Sequence, residues 1–405
     1  MAVDIDSVVR TIDSVVGAAD RPVALHEPEF SGEESSAVEH CLRTTHVSTT
    51  RPLVERFEAA LAHTTGARHA VATVNGTAAL HIALIVAGVQ PDDEVLTPAL
   101  TFVAAANAAR SCGAVPHFVD TDPGTFGIDA DRLSAYLERH TVARNGRCTN
   151  RRTGRRLAAF LPMHTFGHPV DLDPLLEMSA RFGIPIIEEA AQAIGSTYKD
   201  RHVGTIAPIG VLSFNGNKIV TTGGGGALLM RDDATAGLAH HLTTTAKQPH
   251  QWAYTHDRAG YNYRMPGLNA ALGRAQLDRL PDLLARKRRL ASRYQAAFAG
   301  VAGGRIFVEP PYARSNYWLN VLVVDEPADR DQILASTHSN GLLTRPPWTP
   351  MHRLPMFAAC PRMTLGGAER LADTIVCLPS SARLADAAPA WAERAQTTLA
   401  VAASA

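Results

Sequence analysis

The chain has 405 residues, of which 46% are apolar and 19% charged, and its 39 basic side chains balance its 39 acidic ones. This composition is typical of a globular protein long enough for one large α/β domain with a smaller domain attached. Balanced charge gives no indication of a nucleic-acid-binding surface. Because no window approaches 18 uncharged apolar residues, we expect no membrane span.

The cysteines and histidines do not indicate a metal centre. Five cysteines are scattered without a CxxC pair, so neither a zinc ribbon nor a disulfide framework is predicted. His164 and His168 are separated by a loop-forming sequence, which excludes ligation of one metal ion from a helix face. The N-terminus lacks the basic and apolar regions of a signal peptide, and together with the cysteine usage this favours a cytoplasmic location.

Hydrophobic periodicity predicts the elements in chain order. A short amphipathic helix is expected ahead of Arg21-Pro22, packed on the protein's own surface. Strands and helices then alternate, which is typical of a parallel sheet covered by helices. We predict strands at 69–73, 94–97, 116–119, 157–163, 185–187, 210–214 and 226–230, and helices at 77–87, 104–111 and 175–182. A long helix from about residue 268 to Phe298 is expected to bend or break near Pro281.

The tract from Arg144 to Arg156 contains six arginines and has two interpretations. An exposed hairpin between two core elements is one, because runs of charge are usually solvated. Contact with a nucleotide diphosphate is the other, because guanidinium groups bind phosphate bidentately.

The segment with the clearest chemistry runs from Ile184 to Arg231. One apolar strand leads into Glu189 and Gln192, and a second leads into Ser213 and Lys218, ahead of a tract of four glycines. A lysine can condense with an aldehyde, a carboxylate can keep a pyridine nitrogen protonated, and a hydroxyl with backbone amides can hold a phosphate. This set predicts a site for a pyridine aldehyde phosphate. The glycine tract is not a phosphate loop of the G-x-x-x-x-G-K-[ST] type, because Lys218 precedes it.

Several motifs in the same order resemble the DegT/DnrJ/EryC1/StrS family of pyridoxal-phosphate (PLP) aminotransferases of sugar biosynthesis, and most closely its LegC-type members. They are Asn75-Gly76-Thr77-Ala78, Ile186 to Gln192, Ser213 to Lys218, Thr221 to Ala227 and Gly260 to Pro266. The resemblance implies PLP fold type I, in which a large domain has a mostly parallel seven-stranded sheet flanked by helices. We expect an N-terminal helical extension (1–22), this large domain (23–278) and a smaller α/β C-terminal domain (279–405).

The resemblance also implies roles for individual residues. Lys218 would form the internal aldimine and move the proton, and Glu189 would hold the ring nitrogen. Glu189 stands where the family has aspartate, so an alternative is that Glu188, or no acid, serves the ring. The implied cofactor-binding set is Gly76, Thr77, Ala78, Phe102, Glu189, Gln192, Ser213, Lys218, Asn262 and Arg264. Substrate contacts are expected from His164, His168, Asn217, Arg345 and His352.

The implied reaction moves an amino group from L-glutamate to a nucleotide-linked keto-sugar, at C4 of a UDP-4-keto-6-deoxy-N-acetylhexosamine, with pyridoxamine phosphate as intermediate. The family analogy also implies a homodimer in which Asn262 and Arg264 reach the neighbouring subunit's cofactor. Two alternatives stay open. One is an aminotransferase for a ketonucleoside or cyclitol ketone in antibiotic biosynthesis, and the other is a non-catalytic binding or regulatory protein of the same fold. Sugar-dehydrating relatives carry histidine at the lysine position, so Lys218 disfavours that reaction.

Overall fold

A computed structural model describes residues 3–49, 51–144 and 146–386. The α-helices are Ile5–Val16 (α1), Glu33–Arg43 (α2), Arg51–Thr65 (α3), Gly76–Val86 (α4), Ala104–Ser111 (α5), Ala130–His140 (α6), Asp173–Phe182 (α7), Asp233–Thr243 (α8), Gly267–Phe298 (α9), Pro327–Ser339 (α10) and Gly366–Thr374 (α11). Short 3₁₀ turns lie at Thr165–Gly167, Met351–Arg353, Pro355–Phe357 and Ala382–Ala385. Within these ranges, no helix has the length and apolar character needed to cross a membrane.

The described residues contain fifteen strands, of which seven begin within two residues of a predicted start. They are His69–Thr73 (β1), Glu94–Pro98 (β2), Val115–Val119 (β3), Thr141–Arg144 (β4), Arg147–Asn150 (β5), Leu157–Phe160 (β6), Ile187–Glu189 (β7), Thr197–Tyr198 (β8), Arg201–His202 (β9), Ile209–Ser213 (β10), Gly226–Met230 (β11), Gly304–Ile306 (β12), Ala313–Arg314 (β13), Asn320–Val324 (β14) and Ile375–Leu378 (β15).

Seven of these strands form one sheet in the order β1-β11-β10-β7-β6-β2-β3. Two ladders account for most of it, β1-β11-β10-β7 and β3-β2-β6. Parallel bridges from Phe160 to Ile186 and from Met163 to Glu189 join them. Only β11 runs antiparallel to its neighbours. The predicted mostly parallel seven-stranded sheet is therefore confirmed, with β11 as its return strand.

The sheet is buried on both faces, as expected for parallel strands covered by helices. Every residue of β2, β6 and β11 is buried. Helix α4 is apolar almost all round, which fits its position between the sheet and the neighbouring helices α5 and α8.

A second, three-stranded sheet (β12-β14-β15) lies in the C-terminal third of the chain. Its buried Leu322 and Val376 join one hydrophobic cluster with Ile12 and Val16 of α1 and with Tyr294 of α9. The apolar face of the N-terminal helix is therefore used for packing inside this chain, as the sequence predicts.

Helix α9 continues without interruption from Gly267 to Phe298 and includes Pro281. The helix is therefore not broken at Pro281, and a bend there stays a prediction. Proline removes one backbone hydrogen bond from the helix, but the buried Leu277, Leu280 and Leu283 keep both sides of Pro281 packed on the core. The predicted domain boundary at residue 278 falls inside this helix, and the domain limits stay a prediction.

The arginine tract begins at the last residue of β4 and includes β5, which pairs with β4 as a hairpin, with residue 145 outside the described residues. The tract lies at the edge of the sheet where the parallel strands begin, because the amide of Glu94 donates to Arg156 O at 2.7 Å. At the hairpin tip, Gly146 lies against Gly183, just ahead of β7. This geometry fits the exposed-hairpin interpretation.

Candidate active site

A cavity of about 280 Å³ lies at the opposite edge, where the parallel strands end. The carboxyl ends of strands in α/β sheets are the usual place for ligands. Its wall is formed by Asn75, Gly76, Thr77, Leu80, Phe102, Ala104, Ala105, Glu189, Ala191, Gln192, Ser213, Asn215, Asn217, Lys218, Trp318 and Trp348.

Lys218 and Glu189 lie in this wall and influence each other electrostatically. Burial lowers the pKa of the Lys218 amine to about 8, although the nearby Glu189 carboxylate opposes the shift. Burial raises the pKa of Glu189 to about 7, opposed by Lys218 and by the Ala191 amide. Each group can therefore change its protonation state near neutral pH, as a group that exchanges protons requires.

The neighbouring Glu188 has a different environment, although it is also fully buried. Its carboxylate accepts hydrogen bonds from the amides of Gly204 (2.7 Å), Ile206 (2.8 Å) and Ala207 (2.5 Å). Burial raises its pKa, but the His164 ring and these amides outweigh that effect, so the pKa is lowered. Glu188 points away from the cavity and serves the fold, which leaves Glu189 as the acid that faces a ligand.

One end of the cavity is suited to a phosphate. The amides of Gly76 and Thr77 are the first of helix α4, so they have no acceptor inside the helix. A Cβ on Gly76 would lie 2.9 Å from the Cβ of Ser213, so glycine is required for this close approach. The amide of Ala78 instead donates to the Asn75 side chain at 2.8 Å, which caps the helix. Gly76, Thr77 and Ser213 thus lie at the end suited to an anion, and their contact with a phosphate stays a prediction. The structure does not favour a phosphate contact by Ala78.

The glycine tract allows β11 to pass directly beside this end. A Cβ on Gly226 would lie 2.5 Å from the carbonyl carbon of Asn75. The Asn269 side chain holds the tract by donating to Thr222 O (2.7 Å) and Gly224 O (3.0 Å). This close passage of backbone explains why glycine is needed in the tract.

Aromatic side chains and one amide complete the wall. Phe102, one of the expected cofactor-binding residues, is 50% exposed, which is unusual for a phenylalanine and consistent with a ring that faces a ligand. The carbonyl oxygen of the Gln192 side chain accepts from the Phe166 amide at 2.7 Å, so its NH₂ group is the part free to meet a ligand. Trp348 stacks on Phe166, with ring centroids 5.1 Å apart.

Trp318 and Trp348 were not predicted as site residues. Both come from segments more than 90 positions after Lys218, and neither lies in a motif that signals a ligand. Folding alone brings them to the cavity. The local signal available was only that tryptophan is rare in this chain, with four residues in all.

Comparison with known proteins agrees with this geometry. The profile of the DegT/DnrJ/EryC1/StrS aminotransferase family matches residues 28–390. The chain belongs to this family.

Individual relatives support the assignment. A GDP-perosamine synthase of Caulobacter vibrioides is 35% identical over 370 residues, which cover 90% of this chain and 95% of that protein. The crystal structure of the aminotransferase TlmJ from Streptoalloteichus hindustanus superimposes with a TM-score of 0.80 at 29% identity, covering 88% of this chain and 93% of that one. DesI, solved in the presence of its TDP-sugar product, gives a TM-score of 0.79 at 27% identity and covers 91% and 93% of the two chains. The fold is thus PLP fold type I, and the protein is a PLP-dependent aminotransferase.

The chemistry of the residues that line the cavity fits PLP. It has an amine, a facing carboxylate and a cradle of helix amides that a Cβ on Gly76 would fill. When bound, PLP supplies an electrophilic carbon for an amine and a ring that takes up an electron pair. The Lys218 amine is the group that would meet that carbon, and Glu189 would hold a proton on the ring nitrogen.

Two histidines predicted to contact substrate are instead structural. His164 is fully buried, with Nε2 3.2 Å from Glu188 and Nδ1 accepting from the Val170 amide at 3.2 Å. His168 is enclosed by aromatic rings such as Phe307, and burial lowers its pKa to about 3. We correct both assignments. The loop was expected to line the pocket, but it turns the rings of His164 and His168 into the core.

The remaining predicted residues divide between the cavity and its surroundings. Asn217 lines the cavity. His352 lies outside the wall with Nε2 2.9 Å from Glu369, and the exposed Arg345 pairs through its backbone with Cys377. Asn262, which is exposed, and Arg264, whose guanidinium contacts His240, also lie outside it. The roles of these outlying residues stay predictions. If Asn262 and Arg264 bind the cofactor of a neighbouring subunit, they are expected to lie outside the cavity of their own chain.

Proposed function

We propose that this enzyme transfers an amino group from L-glutamate to the keto group of a nucleotide-linked sugar. The observation that carries the proposal is that Lys218, which is partly buried, and Glu189, which is buried, face one cavity beside an anion-binding helix end. The named products of two relatives, GDP-perosamine and a TDP-sugar, support a nucleotide-linked substrate.

Each residue has a definite task in this proposal. The neutral amine of Lys218 meets the cofactor carbon, and once released it carries a proton to and from the substrate carbon. Glu189 keeps a proton shared with the ring nitrogen, and Gly76, Thr77 and Ser213 hold the phosphate. Phe102 and Trp348 provide apolar walls that exclude water from the reacting atoms.

The sugar and its carrier are the finer part of the proposal. Our sequence-based candidate is C4 of a UDP-4-keto-6-deoxy-N-acetylhexosamine. The GDP and TDP carriers in the relatives' names make these two nucleotides the direct competitors. We further propose a homodimer in which Asn262 and Arg264 complete the neighbouring subunit's phosphate site.

The test is a substrate panel. PLP-loaded protein and glutamate are mixed with 4-keto-6-deoxy sugars carried on UDP, GDP and TDP, and the products are identified by mass and NMR. We expect one carrier to be aminated with a kcat/KM at least tenfold above the others. Amination of the GDP-linked or TDP-linked sugar would correct the nucleotide in our proposal and leave the proposed reaction unchanged. Formation of 2-oxoglutarate from glutamate without amination of any sugar would refute the sugar substrate.

A further inference from the structure

The amine of Lys218 lies over an aromatic face. Its Nζ is 4.0 Å from the centroid of the Trp318 ring. An ammonium group above an indole is stabilised by the negative face of the ring, most strongly where water is excluded. Trp318 is 6% exposed, so its ring meets the amine in a largely dry environment.

Trp318 also holds the backbone that carries the lysine. Its indole Nε1 donates to the carbonyl oxygen of Asn217 at 2.8 Å. The same side chain therefore fixes both the residue before Lys218 and the end of the Lys218 side chain. A ring present only to fill space would not need both contacts.

The backbone of Trp318 is fixed in turn by two buried polar side chains. Its amide donates to Asn316 Oδ1 at 2.8 Å, and Asn316 Nδ2 donates to the carbonyl oxygens of Gln192 (3.0 Å) and Ile194 (2.9 Å). Its carbonyl oxygen accepts from the amine of Lys287 at 2.8 Å. Helix α9 and the Gln192 segment thus both set the position of the indole.

Lys287 is fully buried, and burial lowers its pKa well below the usual value. Its amine contacts the backbone carbonyls of Trp318 and Ser380. Burying an amine in this way costs free energy unless its hydrogen bonds are made. The bond from Lys287 to the Trp318 carbonyl oxygen offsets that cost and also fixes the Trp318 backbone.

We propose that Trp318 is a positioning residue for Lys218, and that its indole face stabilises the ammonium form of the lysine amine while that amine carries a proton between carbons. The proposal rests on the proposed role of Lys218. During the reaction the released amine takes one proton from a carbon and must keep it until it is returned. The indole stabilises the charged form without accepting that proton, whereas the other charged neighbour, Glu189, can accept it.

The surroundings of Lys218 make this contribution measurable. The titratable groups that act on it are Glu189, across the cavity, and His26, whose own pKa is lowered well below the usual value by burial and by Lys287 and Lys218. Glu189 favours the ammonium form of Lys218. Since neither group is changed in a Trp318 variant, a shift in lysine titration reports on the indole.

The test uses enzyme converted by glutamate to its pyridoxamine phosphate form, in which the lysine amine is free. The rate at which an amine-acylating reagent labels Lys218 is measured against pH by peptide mass analysis. We expect the midpoint for Trp318→Leu to fall by roughly one pH unit, because the ammonium loses its aromatic face. Trp318→Phe keeps a face and should stay near wild type. Trp348→Phe, at another tryptophan of the same cavity, is the matched control and should not shift.

An unchanged midpoint in Trp318→Leu, or an equal shift in the Trp348 control, would overturn the proposal. Folding is checked by circular dichroism, and Trp318→Met replaces the leucine variant if that variant does not fold. A separate measurement isolates the underlying assumption: borohydride reduction of the PLP-loaded wild type must fix the cofactor on the peptide containing Lys218. Failure there refutes the role of Lys218 itself, whereas success with no titration shift refutes only the role of Trp318.

Discussion

The two edges of the seven-stranded sheet each bury a carboxylate, but in opposite electrostatic conditions. At the edge where the parallel strands begin, Glu94 accepts from His117 (2.8 Å), Asn150 (2.9 Å) and Thr153 (2.6 Å). These donors lower its pKa although burial opposes them. At the edge where the strands end, burial dominates and raises the pKa of Glu189 to about 7.

The difference shows how one sheet separates stability from chemistry. A carboxylate saturated with donors is satisfied by the fold and has no reason to react. A carboxylate that the fold leaves under-satisfied is available to a ligand that brings a donor, as a protonated ring nitrogen does. Glu188 and Glu189 repeat this contrast within one strand, since successive residues of a strand point to opposite faces.

The largest expected effect is at the catalytic edge. Replacing Lys218 with alanine should lower kcat by roughly a thousandfold or more, because it removes both the nucleophile and the proton carrier. The measurement is 2-oxoglutarate release with a reactive ketosugar. Lys199→Ala is the control, since Lys199 is a surface residue paired with Asp173 and should keep wild-type turnover. A Lys218→Ala enzyme within tenfold of wild type would contradict the assignment.

The next effect belongs to the opposite edge and should appear in stability. Glu94→Ala leaves the buried His117 and Asn150 donors without their acceptor, which should cost about 3–5 kcal/mol. The free energy of unfolding is measured by urea titration of the PLP-loaded protein. Folded Glu94→Ala enzyme should retain the cofactor absorption spectrum. Loss of that spectrum without loss of stability would mean that the two edges are not separate.

Glu189→Gln should have the opposite effect to Glu94→Ala, because it should impair catalysis and leave stability almost unchanged. Glutamine has nearly the same shape but cannot hold a charged ring nitrogen, so kcat should fall roughly a hundredfold, while the unfolding free energy changes by less than about 1 kcal/mol. Because the Glu189 charge favours the ammonium form of Lys218, the lysine pKa should also fall. The labelling midpoint of Lys218 in cofactor-free protein measures this shift. A midpoint that rises would show that the two groups do not face each other.

A smaller effect is expected at the phosphate end. The Cβ of Gly76→Ala would meet Ser213, and relieving that overlap must displace the anion-binding amides. PLP affinity should fall about tenfold. Gly237→Ala, in helix α8 with open space around its Cβ, is the matched control and should bind PLP normally. Equal affinity in the two variants would remove Gly76 from the phosphate site.

Local pattern was sufficient for the strands of the large sheet and for the residues of the catalytic edge that lie inside motifs. Alternating apolar runs placed the strands, and the order of Glu189, Ser213 and Lys218 along two neighbouring strands placed the site. The order of β11 and the continuity of α9 through Pro281 depend on tertiary packing, which local propensity does not contain.

The residues that sequence reasoning misplaced or missed share one physical cause. His164 and His168 lie on a turn whose rings could face either core or cavity, and only the positions of Glu188 and Phe307 decide between the two. Trp318 reaches Lys218 because Lys287 and Asn316 hold it there. Contacts between segments a hundred residues apart leave no periodic signal in the chain.

The smallest expected effect tests the arginine tract. Arg152 and Arg155 lie in the loop after the β4-β5 hairpin, at the edge remote from Lys218. Changing both to serine should therefore leave kcat/KM within about twofold of wild type and the unfolding free energy within about 0.5 kcal/mol of it. Arg156, whose Nε donates to Asp93 at 3.0 Å, is the contrasting position, and Arg156→Ser should destabilise the fold without altering KM. Both are measured by steady-state kinetics at fixed ionic strength. A tenfold rise in KM for the nucleotide sugar in the double variant would support the interpretation that the tract contacts a nucleotide diphosphate. Since this edge faces away from the cavity of its own chain, that contact would have to be made across a subunit interface.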